Sequence, residues 1–323
     1  MALDHYVSQV HLKNFSHTQP PSLLYAIRKQ DLKAFTPRTR DVCRIDEGNT
    51  NAYLREQRMI ESFLAFIEPK YNRAVESFRS NQIDTESIYV VAGFVAYVAT
   101  CSPAAMRIGA QPLAKILEEV GRRLERSGKL PKPPPSLGAD SFSELLAKGA
   151  VKIDVDGKYP QAMGIVSILH LLHAFGNFDW EILHNPLSDT HPYFTSDYPM
   201  GIEESGDPGN PYILNRIIPL APDLATRIWP RRDREVDPSE PDFSGFRYQH
   251  TTLDQAGLEK INRIIVRCAE SLVFYLHDQP WIQPFVAENA RFRIEPKTLQ
   301  FPSRKGTMQM AYQEVTDQWQ PEV

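Results

Sequence analysis

Asp197 is the carboxylate best placed in this chain to do chemistry. It lies in the run Phe194-Thr195-Ser196-Asp197-Tyr198-Pro199, a short β-prone segment that ends in a proline turn. Strand ends and the loops behind them are where a rigid scaffold displays functional groups. Such a carboxylate works as an acid or base beside an imidazole, or it accepts backbone N–H groups and fixes the turn. Ser196 beside it is a binding candidate. His5, in the opening His5-Tyr6-Val7, supplies an imidazole that titrates near neutrality. Gln9 shares a face with His5 if residues 5–15 are helical. Glu61 and Glu68 stand seven apart, nearly on one helix side, so Glu61 is a second catalytic carboxylate; two solvated carboxylates is the simpler account of the pair.

Other constellations carry less. His184, Asp189 and His191 offer imidazole and carboxylate near Asp197, but they lie in a proline-containing loop where Asn, Asp and Ser serve turns. No metal is assigned, and the cofactor is unknown. His170 and His173 are helix neighbours without a nearby acid, which fits core or boundary histidines. The phosphate-loop, dinucleotide, nucleophile-elbow and zinc-protease signatures are missing from the sequence.

These groups must be positioned by elements that periodicity predicts. Residues 23–27 read as a strand, with 33–36 as hairpin partner across Lys29-Gln30-Asp31. A helix begins near Asn51, its face marked by Ile60, Phe63, Leu64, Ile67 and Tyr71, and Pro69 predicts a kink or restart. Asp84 is a cap candidate. Residues 88–101 are apolar almost all round, which predicts a central helix ending at Ser102-Pro103. Leu113, Ile116, Leu117, Val120 and Leu124 mark an amphipathic helix. Residues 151–157 alternate and end in Asp-Gly, a strand and turn signal. Pro160 opens a mostly buried helix through Phe175, three short strands follow over 180–220, and 253–276 is the last long helix.

Helices segregate before and after the central strands, which predicts an α+β fold: buried helices on a small, mainly antiparallel sheet. That sheet is expected to include 23–27, 151–155, 180–184, 193–196 and 213–220. The organisation expected is one domain over 1–300, with a proline-rich internal linker at 128–137, and a C-terminal tail over 301–323.

Composition narrows the partners. The 323 residues hold 36 Lys and Arg against 40 Asp and Glu, a net charge of -4, so nucleic acid or a nucleotide would need a local basic patch. Cys43, Cys101 and Cys268 form no CxxC pair, which fits a reducing cytoplasm. No signal peptide is visible, and residues 88–101 are too short to span a bilayer, so no membrane partner is expected.

Several segments, taken in order, resemble a bacterial and fungal family catalogued as domain-of-unknown-function family 4238. They are the opening HYVSQVHLKNFS, with Ser8 for the usual proline; RMIESFLAFIEPKYNRAV, with Glu61 and Glu68 in place; FTSDYPM; IIPLAPDL, with Ala221 for serine; and INRIIVRCAESLVFY, whose Asn262 matches. Thr100-Cys101-Ser102-Pro103 departs from members that carry arginine before the proline. The resemblance spans roughly 5–277 and implies no activity. It does imply that His5, Gln9, Glu61, Asp197 and Asn262 form one constellation, Asn262 as a binding residue. Two function classes stay open. One is a hydrolase, nuclease-like, using His5 with Asp197 or Glu61. The other is a non-enzymatic binding or structural module in which Asp197 fixes a turn.

Overall fold

The computed structural model describes residues 3–17, 22–204, 213–231, 242–303 and 306–317. The opening strand β1 (Leu3–His5) leads into a short helix, α1 (Gln9–Asn14). A hairpin follows, β2 (Tyr25–Arg28) with β3 (Ala34–Phe35), as the apolar run and its Lys29-Gln30-Asp31 turn predict. Strand β4 (Arg44–Asp46) returns to pair with β1.

Helix α2 (Met59–Ile67) starts later than expected, because residues 51–58 are held in turns. Pro69 ends it. The chain passes through a 3-10 turn, Glu68–Lys70, and restarts as α3 (Tyr71–Arg79), the break that a missing amide donor imposes. Helix α4 (Thr85–Cys101) is the centre of the protein. Asp84 and Ser87 cap its first turn reciprocally, and nearly every residue from Val90 to Val98 is buried. It packs on α3 and on the later helical segment Ile168–Gly176. Ser102 ends α4 and caps α5 (Pro103–Arg126).

The proline-rich stretch 128–137 bridges two helices on one surface: α6 (Phe142–Ala147) folds back so that its Phe142 ring lies against Gly121 of α5. The expected strand at 151–155 is not one. Its side chains alternate between half-buried and exposed, but among the described residues no strand pairs with it. Alternation alone does not make a ladder. The helix from Pro160 is two helices, α7 (Lys158–Val166) and α8 (Ile168–Gly176), broken at Ser167. Ile165, Ile168 and Leu172 are buried, while Met163, Val166 and Leu169 face outward.

The second half of the chain builds the sheets. A five-stranded sheet runs in the order β10 (Arg247–Thr252), β5 (Asp179–His184), β9 (Leu224–Trp229), β8 (Leu214–Ala221), β7 (Gly201–Glu204). Its β10–β5 pair is parallel and its other pairs antiparallel. A smaller sheet has the order β3, β2, β11 (Leu272–Tyr275), β6 (Thr195–Ser196), all antiparallel. The fold is α+β with mainly antiparallel sheets.

Helix α9 (Gln255–Cys268) is shorter than the 253–276 expected. Ala269 turns extended, and Leu-Val-Phe-Tyr pairs as β11 between β2 and β6. Long-range pairing of β-branched and aromatic residues overrides the helical period there. Helix α10 (Ile282–Asn289) leads to a long hairpin, β12 (Arg293–Ser303) with β13 (Gly306–Thr316). The tail expected over 301–323 instead supplies the end of β12 and all of β13, and the partner that orders β13 lies upstream. Residues 205–212, 232–241 and 318–323 lie outside the described residues.

Candidate functional site

The FTSD run is enclosed on both faces. Phe194, Thr195 and Ser196 are fully buried and Asp197 is 4% exposed, so Asp197 is not displayed at an exposed strand exit. Its carboxylate accepts the Glu270 amide at 3.0 Å and the Ser271 amide at 2.8 Å, and its own N–H donates to the Leu272 carbonyl at 3.1 Å. These bonds fix the turn that converts α9 into β11. Ser196 Oγ accepts the Tyr198 amide at 3.1 Å. Asn262, on α9, spends its side-chain oxygen on the Phe194 amide and its NH2 on the Pro192 carbonyl, both at 2.9 Å. Asp197, Ser196 and Asn262 thus come together as the scaffold of one turn.

His5, Glu61 and their neighbours form a separate group. Asn49 donates to Glu61, while Arg58 binds Asp4 through both guanidinium nitrogens at 3.0 and 3.3 Å and lies 3.5 Å from Glu61. The Tyr97 hydroxyl donates to the His5 carbonyl at 2.8 Å and lies 3.4 Å from the Asn49 side-chain oxygen. The His5 ring rests against the backbone of Thr39 and Arg40, and its Nε2 completes no hydrogen bond. Burial lowers its pKa, ahead of the opposing pull of those backbone groups. Gln9 stands at the start of α1 and joins neither group.

The charges that act on Asp197 are elsewhere. Burial, then the negative charge of Glu270, pushes its carboxyl up to about 7, against the favourable amide bonds and Lys29. Lys29 is buried too. Its ammonium donates to the carbonyls of Ala269 and Phe292, both at 2.6 Å, and burial presses its pKa down to about 8. Arg107, on α5, grips Glu270 with two bonds of 2.8 and 2.9 Å, reaches Glu295 at 3.1 Å and donates to the Ile294 carbonyl at 2.8 Å. Arg293 completes the network against Glu295.

This network floors a cleft of about 1180 Å³. One wall is a face of α5, from Met106 and Arg107 through Ala110, Ala114, Lys115 and Glu118, where the small alanines leave room. The rest of the lining comes from residues 152–155, Asp41 to Arg44, and the hairpin residues Arg28 and Phe35. Tyr6 and Cys43 line it as well, Cys43 at a positive φ of 53°. None of His5, Gln9, Glu61, Ser196, Asp197 or Asn262 lines it.

Most cleft charges are neutralised in place. Arg28 lies 3.3 Å from Asp31, Arg44 3.6 Å from Asp41, and Glu118 3.4 Å from Arg122. Lys115 and Lys152 are exposed and hold no ion pair among the described residues. The described residues contain no group of three or more His, Cys, Asp or Glu arranged to hold a metal ion.

Sequence reasoning missed this cleft's floor. Arg107 and Glu270 sit 163 positions apart, with no local motif to announce them. Lys29 read as a turn residue, and the one visible signal, the alternation over 151–155, was assigned to a paired strand.

Fold and cleft define a class: an α+β protein of buried helices and mainly antiparallel sheets with an ion-paired cleft. Residues 4–279 match the family described as "Protein of unknown function (DUF4238)", and the chain belongs to that family. No curated protein and no solved structure matches the chain. Among the described residues no single helix is long and apolar enough to cross a membrane.

Proposed function

We propose that the chain is a non-enzymatic binding module that takes an anionic ligand in the cleft above residues 270–272. The observation that carries this reading is the state of the cleft's charges. Of the acids lining it, Asp41, Glu118 and Glu270 are held in ion pairs and Asp154 alone keeps its charge, while Lys115 and Lys152 are both unpaired, which leaves an excess of positive charge. Asp197 fits the same reading. It is a positioning residue that holds the amides of Glu270 and Ser271 and so sets the cleft floor. A ligand that binds only the folded state raises the unfolding temperature. Citrate and inorganic phosphate are expected to raise the Tm of the wild-type protein and to lose that effect in a Lys115→Glu, Lys152→Glu variant. Equal shifts in both proteins, or none in either, would overturn the reading.

One observation favours a second reading, a hydrolase centred on His5. An imidazole whose Nε2 has no hydrogen-bond partner, kept neutral by burial, is suited to accept a proton. Glu61 shares its network through Asn49 and Tyr97. Purified protein incubated with single- and double-stranded nucleic acid and with ester substrates tests it. Turnover abolished in His5→Ala would support this reading, and no turnover by the wild type on any of them would remove it.

A further inference from the structure

Residues 152–155 belong to no helix, strand or turn, and residue 151 lies in a bend. Val151, Ile153 and Val155 are half-buried, and Lys152 and Asp154 are exposed, the period-two pattern of an extended chain. Among the described residues, the only hydrogen bond made by its backbone is the Val155 amide to the neighbouring Asp154 carboxylate at 3.0 Å. Residues 152–155 line the cleft together with the face of α5 that carries Lys115. A row of open N–H and C=O groups is a template for another strand. The cleft volume of about 1180 Å³ exceeds the ~300–1,000 Å³ of an ordinary small-molecule site. Five residues span about 17 Å when extended, the reach of one short peptide strand.

We infer that residues 151–155 form a docking edge that pairs with an extended, acidic peptide segment lying in the cleft. Main-chain hydrogen bonds to the edge supply affinity that does not depend on peptide sequence. Lys115 on one wall and Lys152 on the edge outnumber the one unpaired carboxylate, Asp154, and so favour acidic side chains, since the other cations of the cleft are already paired. Ile153 and Val155, half-buried, anchor the edge against the protein. This inference rests on the anion-binding reading and names its ligand.

The probe is a fluorescein-labelled peptide of alternating Glu and Thr, read by polarisation, with a Lys-and-Thr peptide as control. The acidic peptide is expected to bind and the basic one not. Binding should weaken about tenfold or more in Lys115→Glu, Lys152→Glu, a loss near 1.4 kcal/mol. Two acidic peptides, N-methylated on alternate residues in the two frames, separate pairing from simple charge attraction. One frame should lose binding and the other keep it, because only alternate amides face a pairing edge. Amide exchange over 151–155, fast in the free protein, should slow on binding. Equal binding of both methylated peptides and the parent, or unchanged exchange at 151–155, would overturn the docking edge. If citrate shifts the Tm but no peptide binds, the edge fails and the anion-binding reading stands. If neither acts, both fail.

Discussion

Asp197 carries its weight through two backbone amides. Replacing it with asparagine keeps one acceptor but turns an NH2 toward the second amide, which then lacks a partner. A stranded buried donor costs about 1–3 kcal/mol, so Asp197→Asn is expected to lower unfolding free energy by that amount in urea titrations. The variant also tests the titration. Asp197 has a folded pKa of about 7 against an ordinary 3.8, so the folded state holds this proton more tightly than the unfolded state. Its contribution to stability is complete below about 4 and is lost as pH rises through about 7. Wild-type stability should therefore fall more steeply across that window than that of Asp197→Asn. Parallel pH profiles would show that the carboxyl does not titrate there. His11 is an instructive contrast. Both its nitrogens are satisfied in the core, by Tyr71 and Thr195 at 2.8 Å each, and burial pushes its pKa down to about 3. Sequence reading passed over it, since nothing local distinguishes a histidine that reaches a strand 184 residues away.

Elements were legible where a single segment carries its own reason. The apolar run of α4, its Asp84 cap, the Pro69 break and the β2–β3 hairpin all follow from neighbours in sequence. Strands whose partners are remote were not: β11 hid inside an expected helix, and β13 inside an expected tail. The site divides in the same way. The FTSD run announced itself, but its company did not, because Glu270, Lys29 and Arg107 are joined only by folding. The α4–α7 crossing shows how tightly one element fixes another. A Cβ on Gly164 would stand 2.3 Å from Thr100 Cγ2. Thr100 cannot swing aside cheaply, since its hydroxyl donates to the Ala96 carbonyl at 2.7 Å and its side chain is β-branched. Gly164→Ala should cost about 1–3 kcal/mol despite alanine's better helix propensity, which thermal unfolding would register. An unchanged or higher Tm would mean that α7 slides freely on α4.

At the scale of the whole molecule, Arg107 ties together parts that are far apart in the chain. From α5 it holds Glu270, at the turn before β11, and Glu295 with the Ile294 carbonyl, at the start of the β12–β13 hairpin. All three side chains are about four-fifths enclosed, with exposures of 20%, 21% and 19%, so the pairing is poorly screened by water. Removing one partner of an enclosed pair normally costs about 3–5 kcal/mol, because the remaining charge keeps its desolvation penalty. Here Arg293 still faces both carboxylates, which offsets part of that loss. Arg107→Met, which preserves the apolar stem, is thus expected to cost roughly 2–3 kcal/mol. The loss should also be local. With the Ile294 carbonyl deprived of its donor, amide exchange should rise first along β12 and β13, while the α3–α4–α8 core keeps its protection. A uniform rise across the protein would show that the hairpin and the helical core unfold as one unit. No change in either stability or exchange would show that Arg293 alone suffices to hold Glu270 and Glu295, and that the cleft floor does not depend on α5.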